Sequence, residues 1–150
     1  MKFSINKEKL QKTLLEHLKV VPMRTTLPVL SCALFEIKEN TLIIKTTDLE
    51  QSIISKNNIK DEEEGEACLP MNKLCEIVTA LPNEEIRINI NEDLLAEINS
   101  NQGTYKITGR DAKEFPEHTP PKAKETIEME SKDFLNIIEK TGYATSKDDL

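Results

Sequence analysis

Two carboxylates stand two residues apart in the stretch Thr46-Thr47-Asp48-Leu49-Glu50. On a strand that spacing puts both on one face, where they could divide acid–base work or hold Mg²⁺. The same residues also suit a polar turn followed by a cross-strand contact, and that plainer reading is preferred. The other reactive side chains are equally unpromising. Cys32, Cys68 and Cys75 sit in apolar contexts, are odd in number and form no CxxC pair. They are expected to be buried, reduced thiols. His17 lies near the edge of an apolar helical stripe and His118 in a proline-rich segment, so neither completes a zinc site. With four glycines and no phosphate-binding or dinucleotide fingerprint, nothing points to a catalytic centre, a metal or a cofactor.

A basic side chain in an unusual setting is more informative. Arg24 is one of three arginines and stands in VVPMRTTLPVL, between Pro22 and Pro28. A guanidinium can clasp a phosphate bidentately, and flanking prolines limit the loop's freedom and so the entropy lost on contact. The 150 residues carry a formal net charge of −7, yet the first thirty hold six basic and two acidic side chains. The remaining 120 therefore carry −11. Such segregation lets an acidic protein show a polyanion a basic face.

The elements that must present these groups come from a recurring unit. Phe3 and Ile5 alternate as on a strand; Leu10, Leu14 and Leu18 follow at helical spacing, with Asn6 placed to cap. Sixty-four residues on, Ala67 and Leu69 repeat the strand and Leu74 and Val78 the helix, and Lys73 matches Lys9. A third start has Ile127 and Met129 as the strand pair, Ser131 as the cap, and Phe134, Leu135 and Ile138 on the helix, which ends near Thr141-Gly142. Three strand candidates follow each of the first two helices: LPVLSCALFEI, TLIIKTT and QSIISK, then EIRINI, LLAEI and TYKIT. Lys38-Glu39-Asn40 reads as a tight turn and DEEEGE at 61–66 as a solvated loop. The expected class is α+β, with two βαβββ halves (about 1–60 and 61–120) and two helices on antiparallel sheets. PEHTPPKAKE at 116–125 has the composition of a linker, so the domain is set at 1–120, the linker proper at 121–125 and a further domain's start at 126–150. A strand and one helix cannot bury their apolar faces alone, so that start is expected to belong to a longer chain.

MKFSI, RTTLPVLSCALFEI, TTDLE, LPMNKLCEIVTALP and GRDAKEFPEH together resemble the N-terminal part of the bacterial DNA polymerase III β sliding clamp family. The resemblance covers nearly the whole chain. It implies a DNA-clamp fold and a homodimeric ring of two three-domain protomers around duplex DNA. It further implies docking of DNA polymerase III subunits and the clamp loader through later domains. It places Arg24 on a loop at the inner rim, facing the DNA backbone, with Lys9, Lys12 and Lys19 on the first helix and Lys147 in a later loop as further DNA-facing cations. The edge strand around Gln102, Thr104 and Ile107, with Lys73 nearby, is implied as the dimer interface.

The expected role is thus a non-catalytic processivity factor that holds polymerase to DNA by encirclement, in the cytoplasm. Lysines acting as hydrated point charges suit a ring that must slide without reading bases. Met1-Lys2 runs straight into a strand pattern, so no leader is expected, and no apolar run is long enough to cross a bilayer. The competing reading is a clamp-like protein–protein interaction domain without DNA binding; a carboxylate metal hydrolase rests on Asp48 and Glu50 alone.

Overall fold

The structure, a computed structural model, describes residues 1–117 and 125–146, and at 61 and 62 the backbone alone. His118, Lys147 and most of the expected 121–125 linker lie outside the described residues. The chain divides into two units, Met1–His118 and Thr119–Leu150.

In the first unit, β1 (Lys2–Asn6) leads directly into α1 (Lys7–His17). The Asn6 side chain accepts the Glu8 and Lys9 amides at 3.0 and 3.2 Å, as an N-cap should. A loop and a short 3-10 helix, Pro28–Ser31, precede β2 (Cys32–Lys38), β3 (Thr41–Thr47) and β4 (Ser52–Asn58). Glu39 and Asn40, with φ of 47° and 61°, form the two-residue β2–β3 turn, the left-handed pair that a tight hairpin needs. Next come β5 (Lys60–Glu63), β6 (Gly65–Pro70), α2 (Met71–Ala80), β7 (Glu85–Ile90), β8 (Leu95–Ser100) and β9 (Gly103–Thr108).

All strand pairs are antiparallel, in two sheets ordered β5-β1-β7-β8-β9 and β4-β3-β2-β6. The halves exchange their first strands. β1 pairs with β7 of the second half, setting Phe3 opposite Ile88 and Ile5 opposite Ile86. β6 pairs with β2 of the first half, setting Leu69 opposite Ala33 and Ala67 opposite Phe35. Each helix therefore crosses from one sheet to the other, and one core gathers residues from both sheets and both helices, among them Phe3, Leu14, Phe35, Leu74 and Ile88.

A smaller cluster of Val29, Cys32, Leu34, Cys68 and Phe115 covers the other face of β2 and β6. All three cysteines are free and buried. Burial, with Cys32 as a lesser cause, pushes the Cys68 thiol up to about 12, which removes it as a nucleophile at neutral pH.

Several sequence expectations need correction. The 61–66 stretch is not a loop but contains β5 and the start of β6. Its backbone pairs with β1, Lys2 opposite Glu63 and Ser4 opposite Lys60, and charged side chains are tolerated on a short edge strand. The polar turn preferred for Asp48 and Glu50 does form, and only the alternative of a shared strand face fails, since β3 ends at Thr47. Asp48 Oδ1 accepts the Glu50 and Gln51 amides at 2.9 and 2.6 Å, so its carboxylate builds the β3–β4 turn.

In the second unit, α3 spans Ser131–Thr141. Ser131 is the first helical residue and not the cap; Glu130 precedes it without a side-chain cap bond. Ile127 and Met129 lie outside any strand and are exposed, because a strand needs a neighbour to take its backbone hydrogen bonds. Phe134, Leu135, Ile137 and Ile138 on α3 are each about half exposed.

In the first unit the two sheets meet where Cys68 and Arg110 exchange backbone hydrogen bonds of 3.0 and 2.8 Å. A Cβ on Gly109 would lie 2.7 Å from the Cys68 carbonyl oxygen. Gly109→Ala is expected to cost about 1–3 kcal/mol, read as a lowered urea midpoint at unchanged m-value; an unchanged midpoint would show that the junction is slack.

Candidate nucleic-acid interface

Helices α1 and α2 pack side by side. Gln11 Nε2 donates to Thr79 Oγ1 at 3.4 Å across the pair. Asn83, just beyond α2, donates to Glu8 Oε2 at 3.0 Å and accepts from Asn6 Nδ2 at 3.4 Å. On α1, Leu10, Thr13, Leu14 and His17 are buried, and the 3.6-residue period then turns Lys12 outward. Lys12, Leu15 and Lys19 are exposed. The exposed side chains of α2 include Lys73 and Glu76 and carry no net charge. Exposed Lys9 and Lys12 on α1 are likewise matched by exposed Glu8 and Glu16, so the basic character of this face comes from Lys19 and Arg24 just beyond α1.

The loop after α1 starts tightly, with the Lys19 and Val20 amides donating to the Glu16 and His17 carbonyls at 3.3 and 3.1 Å. Buried Val21 anchors it, and at its far end Thr25 Oγ1 accepts the Leu27 amide at 3.0 Å. Between these fixed points Arg24 is exposed, in a shallow groove with Pro22, Leu27, Asp48 and Leu49. Among the described residues Lys12, Lys19 and Arg24 make no ion pair, which leaves three cations available to an external anion. Lys9 is exposed too, but its Nζ donates to the Asn58 carbonyl at 3.3 Å. Lys147 lies outside the described residues.

The expected interface strand, β9, is an edge of its sheet. Gln102, Thr104 and Lys73 are exposed, and Thr104 Oγ1 donates to Asn99 Oδ1 at 2.7 Å. Ile107 is a correction: it is buried in the main core and cannot offer an exposed apolar contact. Ile107 lies opposite buried Ala96 on the core face of β9; Tyr105, two residues earlier, shares that face nearer the strand's start and is exposed. Tyr105 is the exposed apolar side chain of β9; it was missed because a lone tyrosine in a strand pattern carries no signal of being at an edge. Among the described residues, no group of three or more His, Cys, Asp or Glu could hold a metal ion, and no helix is long and apolar enough to cross a membrane.

His17, at the edge of the apolar stripe, is fully buried, with Nδ1 2.8 Å from Thr46 Oγ1 and Nε2 2.9 Å from Ser55 Oγ.

Two βαβββ halves, with two adjacent helices connecting two antiparallel sheets, define a duplicated α+β domain. The chain belongs to the DNA polymerase III beta subunit family, whose N-terminal domain matches residues 1–119. It is similar to a beta sliding clamp of Staphylococcus epidermidis, 30% identical over 97% of this chain and 41% of that protein. One from Pseudomonas putida is 30% identical over 100% of this chain and 41% of its own length. The crystal structure of the DNA polymerase III subunit beta from Pseudomonas aeruginosa superposes with a TM-score of 0.92 at 28% identity, covering 100% of this chain and 41% of that one. The chain therefore spans about two-fifths of the length of these relatives.

Burial pushes the His17 imidazole below its ordinary value of 6.5, against a smaller upward pull from Glu16. The unfolded chain thus binds a proton at a pH where the folded chain does not. His17's contribution is complete above pH 6.5 and declines as pH falls, levelling off once the folded imidazole protonates. Urea unfolding at about pH 7.5 and about pH 5.5 should show lower stability at the acid value. The loss should shrink in His17→Phe; an equal loss in the variant would assign it to carboxylates.

Proposed function

We propose that this chain is the first domain, with the start of the second, of a DNA sliding clamp subunit. In this reading 1–120 is the first domain, 121–125 the linker and 126–150 the beginning of the next. The complete subunit closes a homodimeric ring around duplex DNA and tethers the replicative polymerase, as a non-catalytic cytoplasmic processivity factor. The carrying observation is the set of exposed, unpaired cations Lys12, Lys19 and Arg24 on α1 and its following loop, in a chain of net charge −7. Family membership supports it, as do the relatives named beta sliding clamp.

Free lysines and an arginine without base-reading partners attract phosphates regardless of sequence. Lys147 is retained as a further DNA-facing cation on the family resemblance alone. For ring closure, β9 offers an open edge for pairing with a partner protomer. Lys73, Gln102 and Thr104 lie at that interface, with Tyr105 as the exposed apolar side chain beside them. Polymerase and clamp-loader docking is assigned to later domains, as the chain covers 41% of its relatives' length.

Duplex binding by the 150-residue chain, followed by fluorescence anisotropy at rising salt, tests the DNA face. Arg24→Ala should weaken binding equally on unrelated sequences and reduce the slope of log K against log salt by about 0.9. An unchanged slope removes Arg24 from the DNA face. No duplex binding by the unmodified chain at low salt would favour the protein–protein interaction reading.

A further inference from the structure

One flank of α1 is polar where a helix laid on a sheet ordinarily shows apolar side chains. Lys9, Thr13 and His17 recur every fourth residue and so form one row along the helix. Each member meets β4, in antiparallel order. Lys9 Nζ donates to the Asn58 carbonyl at 3.3 Å. Thr13 Oγ1 lies 3.4 Å from Asn57 Oδ1 and 3.1 Å from the Lys9 carbonyl, so its single proton serves one or the other. His17 reaches Ser55 at 2.9 Å and, on the next strand, Thr46 at 2.8 Å.

We propose that this row is a positioning device that fixes the rotation and height of α1 against β4, in which Lys9 is a tether and not a phosphate contact. The part concerning phosphate rests on the DNA-clamp reading above; the positioning part does not.

Three features carry it. The lengths match: eight residues of helix rise about 12 Å, and the three steps from Asn58 to Ser55 cover about 10 Å of strand. The bonds are also directional. Apolar packing tolerates small rotations, whereas a buried imidazole held at both nitrogens by hydroxyls on two strands does not. Finally, the seam keeps a cost that apolar residues would have avoided, because Asn57 Nδ2 is buried without a partner. The consequence reaches the cations. The His17 carbonyl accepts the Val20 amide at 3.1 Å, so the residue that locks the helix end also starts the loop that carries Arg24.

The test compares single variants of the full chain in two readouts. In duplex binding, Lys12→Met should lower the salt slope by about 0.9 while Lys9→Met leaves it unchanged. A drop for Lys9→Met equal to that for Lys12→Met would make Lys9 a phosphate contact and overturn the tether. In amide NMR spectra, Lys9→Met and His17→Phe should move signals across residues 12–24, with His17→Gln moving them less. Unmoved signals there would overturn the positioning role. Should His17→Phe fail to fold, Ser55→Ala and Thr46→Val remove the partner hydroxyls from the strand side and are read by the same shifts. If Lys12→Met and Arg24→Ala also leave the slope unchanged, the DNA reading is at fault. The tether is then judged on the Lys9→Met shifts, whose presence supports it and whose absence overturns it.

Discussion

The exchange of β1 and β6 between the two halves is the constraint on which the first unit rests. A half that kept its own first strand could close a small sheet around its own helix, and two such sheets would touch only at their surfaces. Here each first strand is hydrogen-bonded into the other half's sheet, so neither sheet is complete without both halves. Each helix connects a strand of one sheet to a strand of the other. That routing brings α1 and α2 together over a shared core and leaves their remaining faces to solvent. The two-helix surface is thus a product of connectivity, before any charge is considered.

Charge then distinguishes the segment that follows α1 from two helices whose exposed charges balance. On α2 exposed Lys73 and Glu76 cancel, and on α1 exposed Lys9 and Lys12 cancel Glu8 and Glu16, whereas Lys19 and Arg24 beyond α1 add two positive charges without ion-pair partners among the described residues. Sheet edges are graded in a similar way. β5 is short and runs Lys-Asp-Glu-Glu, a composition that repels a pairing strand. On β9, Lys106 is held by Glu97 at 2.7 Å, and the exposed run of Gly103, Thr104 and Tyr105 is uncharged. Of these two edges of one sheet, β9 is the one that another strand can approach at lower electrostatic cost.

What could be read in the sequence was whatever is local and periodic. Ile86, Ile88 and Ile90 alternate because one face of β7 is core, and they are buried as that pattern implies. Asn6 caps because its side chain needs only the next turn of chain. The failures share a different cause. β5 is acidic, and its strand character comes from the ladder with β1, sixty residues away in sequence. His17 and Thr46 are buried against each other across 29 residues, and a polar pair of that separation leaves no periodic trace. Ile107 was misjudged because an edge strand still has an inner face. At the candidate site, the proline-flanked setting singled out Arg24 and the resemblance gave it a role, but only the geometry separates free cations from a lysine already bonded to a carbonyl.

That separation bears on how exposed lysines attract a polyanion without gripping it. Attraction that depends on displaced counterions acts through free, hydrated charges. An ammonium that is already bonded to a carbonyl has lost part of its freedom to follow a moving phosphate. A helix fastened to its sheet only by apolar contacts would shift its cations whenever the core relaxed. A polar row along one flank separates the two demands: Lys9, Thr13 and His17 meet β4, while Lys12 and Lys19 remain exposed. The flexible lysine stems can then adapt to successive phosphates while the backbone beneath them stays in place.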